Sequence, residues 1–333
     1  PKGYSFSIDG EICEPNLMQR HVAVQVRDRL RYGNWSGTGA GKTLSAILAT
    51  RVVDARLTIV CCPNAVVGQT TNGWATEIKR VYPDSEVAVK TLQPQWSGNT
   101  HRYLVLNYEQ FQQPDSEPDL KQFLDENAVD FIVIDEVHYA KQRFADQMSK
   151  RKRLIQGLVA RAAETNPKLR VLGLSATPVI NNLQEGKSLV EMITGIEHDD
   201  IDVKPKIHNC MRLHQKLMTL GTRWRPEYSA VLDIETPEVN CADYVGEIRE
   251  LGMNSSPLEI EKILTQARLP KIIEALQSNR RAVIYTHYVE AIDQMLYDAL
   301  TRNGFRVGFY TGTMKDGLDA FKRGRIDVLI GSS

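Results

Sequence analysis

The stretch Ser36-Gly37-Thr38-Gly39-Ala40-Gly41-Lys42-Thr43 decides how the rest of the chain is read. Glycines at 37, 39 and 41 leave no Cβ between backbone and ligand, so successive N–H groups can turn toward phosphate oxygens. Lys42 adds a point charge for β- and γ-phosphates, and the Thr43 hydroxyl is a ligand of the kind magnesium takes. A helix expected over 43–54 brings the positive end of its dipole to the same place. The pattern points to a nucleoside triphosphate, with Gly37, Thr38, Gly39, Ala40, Gly41, Lys42 and Thr43 around its phosphates. Two features depart from the usual form. Ser36 stands where Gly or Ala is usual, a small change with no expected loss of binding. Residues 31–35, Arg-Tyr-Gly-Asn-Trp, make a poor strand, although a phosphate loop normally follows one.

On either side of this loop, short apolar runs alternate with helical patterns. Runs at 57–62, 87–90, 103–106, 131–134 and 171–174 are nearly continuous in apolar residues, as parallel strands buried on both faces require. Helical patterns lie between them, at 43–54 and 152–164 for example. The alternation predicts an α/β fold with a doubly wound sheet. From about 197 to 257 the periodicity weakens among acidic residues and prolines, which predicts a linker or insertion with some helix. The pattern then resumes, with helices expected over 259–266, 270–277 and 289–302 and strands over 282–286, 306–310 and 327–330. Three segments follow: a first domain over 1–196, a linker over 197–257 and a second α/β domain over 258–333, short of several elements.

The run Phe131-Ile132-Val133-Ile134 ends in Asp135-Glu136-Val137-His138. Ligand sites of α/β sheets lie at the carboxyl ends of strands, so both carboxylates emerge where a triphosphate would be held. Asp135 is placed to hold Mg2+ and Glu136 to orient and activate the attacking water. Lys42, Asp135 and Glu136 are thus the candidate catalytic residues. The next strand ends in Ser175-Ala176-Thr177-Pro178, and a neighbouring position in the sheet would bring Ser175 and Thr177 near His138. Such a trio can sense the γ-phosphate and relay its loss.

The 333 residues suffice for roughly two domains. Hydrophobic content of 42% and charged content of 25% are those of an ordinary globular protein. No apolar run approaches the roughly 18 residues that span a bilayer, and no signal peptide is recognisable, so no membrane partner is expected. A formal net charge of zero is neutral on nucleic acid, because binding to it needs only a local basic groove. Five cysteines without paired metal-ligand spacing suggest a reducing setting: the cytoplasm, or the nucleoid or nucleus.

These motifs, in this order, resemble superfamily 2 helicases and translocases (DEAD/DEAH-box-like ATPases), and among them the Swi/Snf-type branch, from about residue 17 to the end. The resemblance implies two RecA-like domains with parallel sheets flanked by helices, the second incomplete in this chain, with ATP and Mg2+ as cofactors. It implies an adenine-reading role for Gln19, with Gln25 as a competitor. Ile59-Val60-Cys61-Cys62-Pro63, followed by Asn64, Val67-Gly68-Gln69 and Trp74, is similar to the motif whose loop meets the nucleic-acid backbone. Leu106-Asn107-Tyr108-Glu109 resembles the next motif, and Asn181-Asn182-Leu183 the Swi/Snf-type extension. Pro63, Asn64, Asn107, Tyr108, Asn181 and Asn182 are therefore candidate nucleic-acid contacts by resemblance. Residues 283–287, 310–312 and 327–333 look like later motifs of the second domain. The box reads Asp-Glu-Val-His where Asp-Glu-Ala-His is commoner, and Ser175-Ala176-Thr177 is the general helicase form where many Swi/Snf-type members carry Gly-Thr.

The implied function is an ATP-dependent double-stranded DNA translocase, with a strand-separating DNA or RNA helicase and a non-hydrolysing ATP-gated DNA-binding module as alternatives. Binding is expected to be duplex-preferring, sequence-independent and salt-sensitive, because a motor must step over any sequence. Protein partners would act through regions outside this chain. The basic run Lys150-Arg151-Lys152-Arg153, the cluster Lys141-Gln142-Arg143, and Trp35, Trp74, Trp96 and Trp224 are weaker contact candidates, for which solvated or buried roles are the simpler readings. The chain stops at Ser333, before the family's last motif with its arginines. An arginine finger is typically worth roughly 10³–10⁵ in rate, so the expectation for these 333 residues is triphosphate binding with turnover near background.

Overall fold

The apolar runs form parallel strands throughout the main sheet. In a computed structural model, all residues are described except 1–6, 9–10, 69–72, 99, 114, 138–149, 180, 227–232, 253–254, 289–290, 313, 315 and 333. A two-stranded antiparallel ribbon, β1 (Ser7–Ile8) and β2 (Glu11–Ile12), comes first. Seven parallel strands follow: β3 (Arg31–Asn34), β4 (Leu57–Cys62), β5 (Glu86–Val89), β6 (Arg102–Asn107), β7 (Phe131–Asp135), β8 (Arg170–Leu174) and β9 (Gly221–Thr222). Their order across the sheet is β5-β6-β4-β7-β8-β3-β9. The strands carrying the phosphate loop, the acidic pair and Ser175 are therefore β3, β7 and β8, with β8 in the middle of the three.

The two-residue period of a strand sends alternate side chains into two helical layers. Val60 and Cys62 join one core with α1 (Leu17–Asp28), α2 (Lys42–Val52) and α3 (Trp74–Val81). Ile59 and Cys61 join the other with α4 (Ser116–Glu126), α5 (Lys150–Thr165), α6 (Leu183–Thr194) and α7 (Ile207–Leu220). Helix α1 has a sequence signal in Asn16 and Gln19. The Asn16 side chain accepts the Gln19 amide at 2.9 Å and the Gln19 side chain accepts the Asn16 amide at 2.9 Å, a reciprocal cap.

Chain contacts separate two units, Pro1–Ser229 and Ala230–Ser333. The first extends past the boundary expected at 196. Much of the expected linker is α7, packed in the first core, and β9, whose Gly33↔Gly221 register extends the main sheet. Leu213 and Leu217, one helical turn apart, carried that signal, while Ile207, Met211 and Met218 of the same helix stay exposed.

The unpromising strand 31–35 is also corrected, because 31–34 is β3. Trp35, just beyond it, is buried and donates Nε1–H to Leu217 O at 2.9 Å. Glycines clear its space: a Cβ on Gly33 would lie 2.0 Å from Trp35 Cζ2, and one on Gly221 2.5 Å from Trp35 Nε1. Tertiary packing overrides the weak strand propensity of this segment.

The second unit contains α8 (Val245–Glu250), α9 (Pro257–Ser278), β10 (Ala282–Thr286), α10 (Ile292–Arg302), β11 (Val307–Tyr310), α11 (Asp316–Lys322) and β12 (Val328–Ser332). Its three strands are parallel in the order β10-β12-β11. The two helices expected over 259–266 and 270–277 are one, α9, which continues through the exposed Pro270. Leu269 and Ile272 pack on the same small core on either side of the proline, which holds the helix together despite one missing N–H. Both units are α/β with parallel sheets flanked by helices.

Candidate nucleotide-binding site

The phosphate loop is braced from the sheet edge. Asn34, at the end of β3, donates Nδ2–H to Ser45 Oγ of α2 at 3.1 Å and accepts the Ser36 amide on Oδ1 at 3.1 Å. Ser36 is fully buried, and its hydroxyl accepts the Trp224 amide at 3.1 Å, while the Gly37 amide donates to Trp224 O at 2.9 Å. A serine at position 36 thus has work that glycine or alanine cannot do: it fastens the segment beyond β9 to the loop. Gly39 and Gly41 adopt φ of 77° and 83°, the left-handed region that glycine enters without strain. Helix α2 starts at Lys42, so its unpaired amides open toward the loop. The Lys42 ammonium donates to Ser36 O at 3.0 Å and Gly37 O at 3.2 Å.

The acidic pair leaves β7 opposite this loop. Asp135, 7% exposed, accepts Trp74 Nε1–H on Oδ2 at 2.7 Å and the Glu136 amide on Oδ1 at 2.9 Å. Burial pushes its carboxyl up to about 6; the Trp74 hydrogen bond opposes this, the nearby Glu136 adds to it and Lys42 opposes it. The backbone of Glu136 has φ of 47°, a left-handed conformation that costs a non-glycine residue about 1–2 kcal/mol. Strain of this kind turns the chain sharply at the strand exit, where Glu136 reaches the cavity wall. Tyr108 donates its hydroxyl to Asp135 O at 2.5 Å.

Loop and acidic pair meet in a cavity of about 680 Å³. Thr38, Gly39, Gly41, Lys42, Thr43, Asp135 and Glu136 line it, and Gln19 stands on its wall with Nε2 3.4 Å from Gly41 O. Gln25 is not among the lining residues. Gly37 and Ala40 brace the loop from outside the lining, Ala40 being buried in the core. Trp74 is the lining residue whose role the sequence did not reveal. Its burial was expected, but a buried indole N–H needs an acceptor, and here the acceptor is Asp135.

Ser175 is fully buried beyond β8, donating its amide to Asn34 O at 3.2 Å and accepting the Thr177 amide on Oγ at 3.1 Å. Leu174, just before it, sits in register with Asp135. The hydroxyl end of β8 therefore lies between the loop strand and the acid strand. His138, Gln69, Lys141, Gln142 and Arg143 fall outside the described residues.

The candidate nucleic-acid contacts divide. Asn64, Asn181 and Asn182 are exposed and Pro63 is half-buried. Asn182 also caps α6 by accepting the Glu185 amide at 3.1 Å, and Asn181 donates Nδ2–H to Glu185 Oε1 at 2.9 Å. Asn107 is buried and donates to Glu109 Oε2 at 2.9 Å and Asn64 Oδ1 at 3.5 Å. Tyr108 is a correction: it is 1% exposed and anchored on Asp135, so its side chain supports the acid pair and offers nothing to a strand outside.

The basic run is spent internally. Lys150 donates to Gln113 O at 2.8 Å, Arg151 lies 3.6 Å from Glu109, and Arg153 lies 3.2 Å from Glu117. Lys152 is buried against Glu191 at 2.7 Å. Among the tryptophans, Trp35 and Trp74 are buried and Trp96 half-buried, which leaves Trp224 at 45% exposure.

A family model described as "Type III restriction enzyme, res subunit" matches residues 12–180, the segment that builds this cavity. No curated protein matches the chain. Among solved structures, the SWI2/SNF2 ATPase core of Sulfolobus solfataricus, in complex with double-stranded DNA, is similar at 17% identity with a TM-score of 0.53. That likeness covers 100% of this chain and 80% of that one. It concerns the fold, whose parallel sheets and helical layers are those described above. With the phosphate loop and the acidic pair lying inside the matched segment, the chain belongs to the family of the type III restriction enzyme res subunit, within the superfamily 2 helicases and translocases.

Proposed function

We propose that this chain is the motor core of an ATP-dependent double-stranded DNA translocase of Swi/Snf type. The observation that carries the proposal is the convergence of Lys42, Thr43, Asp135, Glu136 and Gln19 on one cavity. The double-stranded DNA held by the Sulfolobus neighbour and the restriction-enzyme description of the family support duplex DNA as the track.

Each residue has a task that its position allows. Lys42 leaves the loop carbonyls for the β- and γ-phosphates, an exchange of neutral acceptors for charged ones. Thr43 and Asp135 are hard oxygen donors on one cavity, a set that fits Mg2+, which takes one or two protein oxygens and completes its shell with phosphates and water. Bound there, the ion would neutralise phosphate charge. Glu136 orients the attacking water and accepts its proton. Gln19 reads the edge of the adenine. Ser175 and Thr177, beside the acid strand, relay loss of the γ-phosphate with His138 toward Pro63, Asn64, Asn107, Asn181 and Asn182 on the nucleic-acid side. The protein works where DNA is, in the cytoplasm and nucleoid or in a nucleus, and no described helix is long and apolar enough to cross a membrane.

The test is ATP hydrolysis by the intact protein with duplex DNA, single-stranded DNA, RNA or no nucleic acid. Stimulation by duplex of any sequence, falling steeply with salt, is the expected result. Preference for single strands with strand separation would replace translocase by helicase. ATP binding without hydrolysis under every condition would replace the motor by a gated clamp.

A further inference from the structure

The nucleotide cavity lies at the carboxyl end of β3, and a second concavity lies at its amino end. There the start of β3 meets α7 around a hollow of about 590 Å³. Its walls carry Arg29, Arg31, Arg212 and Lys216 against a single carboxylate, Asp200, a formal surplus of three positive charges in a chain whose net charge is zero.

The partners of these cations do not balance them. Arg29 donates to Thr219 O at 2.7 Å, and Arg31 donates to Leu169 O at 2.6 Å, Leu30 O at 3.1 Å and Thr194 O at 3.4 Å. All are neutral carbonyls. Those of Thr194 and Thr219 belong to the last turns of α6 and α7, and a helix end carries only about half a negative charge. Among the described residues Arg29, Arg31 and Arg212 form no ion pair, and Lys216 shares Asp200 at 3.1 Å with His198 at 3.3 Å. After both helix ends are counted, a surplus of about two charges remains. Arg31 is half-buried, and the loss of solvent around its guanidinium draws its pKa down from the ordinary arginine value. A cation held in this way is stabilised by an anion brought to it, and a planar guanidinium suits phosphate oxygens.

We infer that this hollow is a phosphate-binding site, separate from the nucleotide cavity and built by Arg29, Arg31, Arg212 and Lys216. Its ligand is either a free phosphate anion or a phosphate of a nucleic-acid backbone. Arg212 is exposed on α7 and Lys216 lies on the hollow's rim, so both can be replaced without touching the core.

The probes are inorganic pyrophosphate and a duplex of 20 base pairs, each titrated into the full chain carrying Lys42→Ala, which disables the nucleotide cavity. Pyrophosphate is expected to bind this protein and to lose about tenfold in affinity when Arg212→Ala and Lys216→Ala are added. Asp200→Asn, which removes the one carboxylate, should strengthen binding. With duplex, loss of two phosphate contacts lowers the slope of log affinity against log salt by about 1.8. A lowered slope identifies the backbone as the source, and an unchanged slope with weakened pyrophosphate binding identifies a free anion. If the double substitution leaves both probes unaffected, or if Lys42→Ala alone abolishes pyrophosphate binding, the inference is overturned.

Discussion

Replacing Trp74 by phenylalanine keeps an aromatic ring in the core and removes one N–H from Asp135. A hydrogen bond to a charged acceptor is worth about 1.5–3 kcal/mol. At 1.36 kcal/mol per pH unit, its loss carries the Asp135 carboxyl upward by roughly one to two pH units from about 6. At neutral pH the wild-type carboxylate is mostly ionised, whereas the variant's is half or more protonated. A metal ligand must shed its proton, so the apparent Mg2+ affinity in the presence of ATP falls by about two- to tenfold at pH 7. The deficit closes near pH 9, where both carboxylates are ionised. Mg2+ titrations of ATP binding at pH 7 and pH 9, with circular dichroism as the folding control, read the effect. An equal deficit at both pH values, or none at either, would refute the electrostatic role of Trp74.

Three further outcomes follow from the same geometry. Asp135 has a folded-state value of about 6 against an ordinary 3.8, so the native state binds its proton more tightly and stability falls as pH rises through that window. The gap corresponds to about 3 kcal/mol, so Asp135→Asn should stabilise the ligand-free protein by up to that amount near pH 8 and far less near pH 4.5. Denaturant unfolding at both pH values measures this, and a variant no more stable than wild type near pH 8 contradicts it. Gly41→Ala places a Cβ 2.4 Å from Gln19 Nε2 at a φ of 83°, so it should cost about 1 kcal/mol and displace Gln19; discrimination between ATP and GTP, read by competition, should weaken. Gly221→Val sets a Cβ 2.3 Å from Gly33 O, a backbone atom that cannot step aside. It should cost roughly 2–4 kcal/mol and loosen the Trp224 brace on Ser36 and Gly37, read as a lower Tm and weaker ATP binding.

Much of the site was legible because its chemistry is local in sequence. The glycines of 37–41 and the Lys42-Thr43 pair declare a phosphate loop wherever they stand, and a buried run ending in two carboxylates declares a strand exit. What the sequence hid was mostly non-local. Strand β3 owes its existence to Trp35 filling space that Gly33 and Gly221 leave open, and those two glycines stand far apart in the first unit. Helix α7 and β9 read as a linker because Leu213 and Leu217 are buried in the core and Leu220 packs against it while Ile207, Met211 and Met218 stay exposed, and because β9 is two residues long. Tyr108 matched a contact motif, yet its neighbourhood at the end of β6 turns it inward under Asp135. The basic run at 150–153 looked free because the carboxylates that bind it, Glu109, Glu117 and Glu191, come from three other segments.

The central claim is that the cavity between β3 and β7 holds ATP through Lys42 and hydrolyses it through Glu136. Calorimetric titration of Mg·ATP into the intact protein as wild type, Lys42→Ala and Glu136→Gln, followed by phosphate release over time, addresses it directly. Wild type should bind one ATP per chain, Lys42→Ala should bind none, and Glu136→Gln should bind as well as wild type yet release phosphate far more slowly. Undiminished ATP binding by Lys42→Ala would contradict it.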